Sequence, residues 1–162
     1  MKLQYKSITN KEMKVTVIGK WHKFTDYNIY ACDITNEMFK TNLILCFGDL
    51  KDFARLIKDQ DEYDVEHSDA LALYCWTTKN GSRSNYLFFK ENNWTAENYG
   101  VICHELHHFT HLVLESIGVT YGTAGEELYA YHQGHYMEYV IRALMELQKI
   151  LNKRVKRLKK KK

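Results

Sequence analysis

The chain has 162 residues, 45% of them hydrophobic and 14% aromatic, which is the length of one ordinary domain with ample material for a core and excludes a largely disordered chain. Its formal charge of +3 conceals a division: residues 153–162 hold eight Lys or Arg and no acid, and without them 15 bases face 20 acids, a sum of −5. No apolar window approaches the ~18 residues of a membrane span, and the opening MKLQYKSITNKEMK lacks the apolar run of a secretory signal, so a cytoplasmic setting and no membrane partner are expected.

Four cysteines at 32, 46, 75 and 103 form no CxxC pair and no small disulfide framework; reduced, mostly buried thiols are expected. Proline is absent, so Gly, Asn and Asp must make the turns. The first half reads as β-rich. Residues 14–19 (KVTVIG), 27–34 (YNIYACDI) and 42–47 (NLILCF) are strand-like. Asp49 reads as an N-cap, with Leu50, Phe53, Ala54 and Ile57 at helical spacing over about 50–58. The acidic stretch 59–69 reads as a loop. Residues 70–77 and 82–90 flank Thr78-Lys79-Asn80-Gly81, and Asn-Gly suits a type I′ hairpin turn whose central residues both need positive φ.

Two helices follow. The first is expected over about 96–117, capped by Thr95 and closed by Gly118 at C′. The second starts from Thr123 and Glu126 as a capping box and keeps its apolar spacing from Ala130 through Leu151.

The first of these helices carries VICHELHHFTH. His104-Glu105-Leu106-His107-His108 satisfies H-E-x-x-H. Residues i and i+4 of a helix project from one face, so His104 and His108 can bind one zinc, and Glu105 can reach a metal-bound water as general base. A catalytic zinc needs a third protein ligand and an open position. The second helix offers Glu126, Glu127, His132 and His135. The capping box occupies Glu126, and the face of Glu127 continues through the small residues Ala130 and Gly134, which favours Glu127. His107 and His111 form a rival pair without the adjacent Glu, and are expected to face solvent or to support the ligands. Leu114 stands where a metzincin needs its third His, which excludes that class. Tyr131, His132 and His135 are candidate donors to a transition-state oxyanion, with Tyr131 named as the catalytic candidate. The strand at 82–90, directly before the site helix, is the candidate for a free edge that takes a peptide by β-addition, with a simple paired core strand as the equal alternative.

With Glu127-Leu128-Tyr129-Ala130-Tyr131 forming E-x-x-A-Y after the H-E-x-x-H helix, residues 104–131 resemble the minimal gluzincin-like domains of bacterial and phage type, and more distantly the ImmA/IrrE-type metallopeptidases. The resemblance implies zinc at His104, His108 and Glu127, with Glu105 catalytic. Taken with the elements read along the chain, the fold expected is α+β and zincin-like over residues 1–152: a β-rich half with one short helix, then the site helix and a long C-terminal helix, with 153–162 as a basic tail. The function expected is zinc-dependent hydrolysis of a protein or peptide substrate, in a host cytoplasm or a virion. The alternative is a non-catalytic zinc-binding structural or interaction protein, such as a virion or accessory component. Leu151, Val155 and Leu158, at i, i+4 and i+7, extend the second helix into the tail. The tail's eight cations suit weak contact with nucleic acid or another acidic surface.

Overall fold

Near-continuous apolar runs such as residues 43–47 (LILCF) are of the kind a sheet covered on both faces demands, and the structure, a computed structural model describing residues 16–36, 40–61, 70–90, 96–123 and 125–159, shows that sheet. The described elements run β1 (Thr16–Ile18), β2 (His22–Phe24), β3 (Ile29–Asn36), β4 (Thr41–Phe47), α1 (Leu50–Asp61), β5 (Ala72–Lys79), β6 (Ser82–Phe89), α2 (Ala96–Ser116) and α3 (Glu126–Lys159). They make an α+β fold: one mixed sheet of six strands and three helices, the last of which is long and C-terminal. The strand order is β1-β3-β4-β6-β5, with β2 also paired to β3.

Side chains alternate across the sheet with period two. Cys32, Ile34, Leu43, Leu45, Tyr74, Leu87 and Phe89 point to one face, where they meet Leu106, Phe109 and Val113 of α2 and Tyr136, Val140 and Leu144 of α3. Ala31, Cys46, Cys75, Tyr86 and Phe88 point to the other, against Leu50, Phe53, Leu56 and Ile57 of α1. Each large side chain fully buried here, such as Phe53 or Phe109, contributes about 1.5–3 kcal/mol. Cys32, Cys46 and Cys75 are buried free thiols, as expected, while Cys103 is exposed. Burial pushes the Cys75 thiol up to about 12.

The local signals act as the sequence predicts. Asn80 (φ 54°) and Gly81 (φ 75°) turn β5 into β6. Asp49 caps α1, its Oδ1 accepting from the Lys51 N–H at 2.8 Å. Gly118 (φ 81°) closes α2, with the Val119 N–H bonded to the Leu114 carbonyl and the Gly118 N–H to the Glu115 carbonyl. The expected Thr95 cap and most of the 59–69 loop lie outside the described residues, and α1 itself runs on to Asp61.

Two expectations are corrected. First, the second long helix does not start on a Thr123–Glu126 capping box. The Tyr129 N–H bonds the Gly125 carbonyl, which makes Gly125 the N-cap and Glu126 the first helical residue. The reason is a tight turn in which the Gly125 and Glu126 N–H groups both reach the Gly122 carbonyl. A Cβ at Gly125 would collide with the Thr120 carbonyl oxygen, so only glycine fits there. Second, β6 is not a free edge. It lies between β4, to which it is parallel, and β5, to which it is antiparallel. The hairpin is set down with its second strand inward, and β5 becomes the outer strand of the sheet.

Candidate functional site

The outer edge of β5 and the face of α2 beside it form the candidate site. Leu106, Phe109 and Val113 pin α2 to the sheet, Leu106 and Phe109 being fully buried and Val113 nearly so. That fixes the rotation of the helix and leaves His104 and His108 exposed, with Glu105 half-buried between them and the sheet. The Nε2 atoms of His104 and His108 lie 3.1 Å apart, with their rings edge to face. Two nitrogens on a tetrahedral ion with bonds of about 2.05 Å stand about 3.3 Å apart, so this pair has the bite of a two-imidazole zinc site.

Glu105 turns toward the sheet. Its Oε2 accepts the Tyr74 N–H at 2.7 Å. In β5 the residues at 71 and 73 face β6, as the bond from the Lys90 N–H to the Leu71 carbonyl shows, so the peptide groups of Ala72, Tyr74 and Trp76 point to the outer edge. The carboxylate is thus held by the strand edge, while the Tyr74 ring packs on Phe109 at 5.8 Å and its hydroxyl donates to Asn85 at 2.9 Å. Between edge and helix opens a cavity of about 450 Å³ lined by Leu73, Tyr74, Trp76, Glu105, His108, His111 and Leu112. Trp76 presents an exposed ring here, with the Arg83 guanidinium 5.9 Å from its centre.

Of the other histidines on α2 and α3, His111 borders the cavity and the rest are engaged elsewhere. His107 Nδ1 bonds Gln133 Oε1 at 3.3 Å, and the Gln133 amide donates to the Cys103 carbonyl at 2.9 Å, tying α2 to α3. His111 meets the Tyr129 hydroxyl at 3.3 Å and Glu115 at 3.8 Å. His132 is buried against Thr110, with Nδ1 3.2 Å from its hydroxyl. Burial, with a smaller contribution from the nearby His135, lowers its proton affinity to a pKa of about 4, so at neutral pH it is an uncharged core residue. His135 bonds Thr16 at 2.9 Å, and its pKa too is lowered by burial.

The structure brings together His104, Glu105 and His108. It does not bring the other named residues to them. Among the described residues no group of three or more His, Cys, Asp or Glu is arranged to hold a metal ion. Glu127 is exposed on the first turn of α3, on a face shared with Tyr131, Gly134 and Glu138, all exposed. A Cβ at Gly134 would meet nothing within 4 Å, so small residues there do not serve close packing on α2. Tyr131 is 49% exposed, stacked on His135 with ring centres 6.2 Å apart, and does not line the cavity. The sequence reading missed Tyr74, Trp76 and Leu112. The one signal for them was the hairpin itself, whose first strand had equal claim to the edge.

No family model matches the chain, and no curated protein or solved structure matches it. Among the described residues no helix is long and apolar enough to cross a membrane.

Proposed function

We propose that the protein is a zinc-dependent, zincin-like metallopeptidase that takes an extended peptide along the outer edge of β5. The observation that carries this reading is the convergence of three features at one spot. The His104 and His108 nitrogens stand 3.1 Å apart, Glu105 is held on the Tyr74 N–H, and His108 and Glu105 line one cavity beside an outer strand. In this reading His104 and His108 hold the metal, with a carboxylate from the first turn of α3. The resemblance favours Glu127 for that carboxylate, and Glu126 is the neighbouring candidate. Bound zinc would lower the pKa of a water and polarise a peptide carbonyl.

The chain's own residues supply the rest. Glu105 takes a proton from the attacking water and delivers it to the leaving amine. The Tyr74 N–H limits the rotamers of that carboxylate, keeping it beside the imidazole pair. The outward peptide groups of Ala72 and Trp76, with the carbonyl of Tyr74, whose N–H is already given to Glu105, offer a substrate strand ladder bonds that fix its register. Leu112 and Trp76 wall the cavity with apolar surface.

The test is zinc content by mass spectrometry on purified wild type, His104→Ala, Glu126→Ala and Glu127→Ala, beside hydrolysis of a denatured protein substrate by Glu105→Gln. Loss of zinc in His104→Ala and in one of the two α3 variants, with Glu105→Gln metal-loaded and inactive, is expected. Unchanged zinc in all three alanine variants, or full activity in Glu105→Gln, overturns the reading.

A further inference from the structure

The end of α3 has a composition that the candidate site does not use. The last acid on the helix is Glu146, and the chain beyond it holds nine Lys or Arg. The apolar line of Val140 and Leu144, which pack on the sheet, and the buried Leu147 continues at the same spacing through Leu151, Val155 and Leu158. Arg154 ties the helix to β3, donating to the Tyr30 hydroxyl with its guanidinium 5.1 Å from the ring centre. Past that anchor the line emerges from the body: Val155 is 51% and Leu158 66% exposed. Lys149, Lys153 and Lys156, at i, i+4 and i+7, occupy the opposite side.

We propose that the end of α3, from Leu151 onward, is a docking helix for an anionic lipid surface. It would lie in the headgroup layer with Leu151, Val155 and Leu158 toward the acyl chains and its lysines and arginines among the lipid phosphates. Charge complementarity names the occupant. Nine cations without an acid beyond Glu146 select a dense anionic surface, and residues 1–146, where 14 bases face 20 acids for a sum of −6, confine the contact to this end of the molecule. A second copy is disfavoured, because pairing two such ends sets like charges against each other. Nucleic acid would engage the cations but leave Val155 and Leu158 in water, whereas a lipid interface takes both faces of the helix. The expectation of no membrane partner rested on the lack of a spanning segment, and a surface-lying helix needs none.

The experiment is co-sedimentation of the full-length chain with phosphatidylglycerol vesicles and with phosphatidylcholine vesicles, beside binding to a short DNA duplex. The variants are Val155→Ser/Leu158→Ser, and a set replacing Lys153, Lys156, Arg157 and Lys159 with Gln. Binding to phosphatidylglycerol alone is expected, weakened about tenfold by the double serine variant and abolished in the glutamine set, with far-UV circular dichroism unchanged. Equal or absent binding to the two vesicle types overturns the proposal. So does a double serine variant that binds vesicles as wild type does. A duplex that strips the protein from the vesicles, and that the double serine variant binds undiminished, overturns it in favour of nucleic acid.

Discussion

His132 makes the stability of this fold depend on pH in a direction that can be worked out from its surroundings. The residue is 1% exposed, between Phe109 and Thr110 of α2 and Tyr136 of its own helix, with His135 as the neighbour that also lowers its proton affinity. In the unfolded chain it takes a proton near the ordinary 6.5; in the folded chain it does so only at about 4. Above 6.5 both states are neutral and the fold has its full stability. As pH falls from 6.5 toward 4 the unfolded state binds a proton that the folded state refuses, and stability is lost at up to about 1.4 kcal/mol per pH unit. The total loss is about 3 kcal/mol, with no further contribution from this residue below 4. His135, shifted in the same direction by burial, adds to the slope.

Urea unfolding followed by circular dichroism between pH 7.5 and 4.5, with a chelator present to remove metal-linked protons, reads this slope. His132→Gln keeps a polar partner for Thr110 and removes the titration, so its stability should vary much less over the same window. Wild-type stability that stays level from pH 7.5 to 5, or a slope undiminished in His132→Gln, refutes the argument.

Three other predictions concern stability. Gly81→Ala places a Cβ at φ 75° and should cost about 1 kcal/mol in thermal unfolding without changing the sheet. Gly125→Ala drives a Cβ into the Thr120 carbonyl and should cost about 1–3 kcal/mol; wild-type stability would show that the turn before α3 is loose. Glu105→Ala should cost about 1 kcal/mol through the lost bond to the Tyr74 N–H, and Glu105→Gln, which can still accept it, should cost less. Equal losses in the two variants would separate the stability of α2 from that contact.

What was legible in the sequence was local. H-E-x-x-H, the Asn80-Gly81 turn, the Asp49 cap and the Gly118 stop each depend on a few adjacent residues, and each stands where it was expected. The identity of the edge strand was not legible, because both hairpin strands have apolar residues and only the parallel pairing of β6 with β4 decides which faces outward. β2 was missed because three residues between turns carry no periodicity, and its register comes entirely from β3. The start of α3 was misread because Thr123 with Glu126 has the spacing of a cap, while the deciding clash is between Gly125 and a carbonyl five residues back.

That displaced start bears directly on the third ligand of the proposed zinc site. Once Gly125 is the N-cap, the capping role that set Glu126 aside disappears, and Glu126 and Glu127 become the first two residues of one turn. Helical spacing then separates them. Glu126 stands seven residues before Gln133, on the flank that reaches α2 through Cys103 and His107. Glu127 stands with Tyr131 and Glu138, on the side turned from the sheet. Family resemblance favours Glu127, and the packing of the helix pair favours Glu126. If Glu127→Ala loses zinc while Glu126→Ala keeps it, the first turn of α3 must rotate toward His104 and His108 on loading, and the Gly122–Gly125 turn is where that rotation can be absorbed. Loss in Glu126→Ala alone calls for a smaller movement, because Glu126 already lies on the flank that reaches α2, although it too stands away from the imidazole pair in this structure.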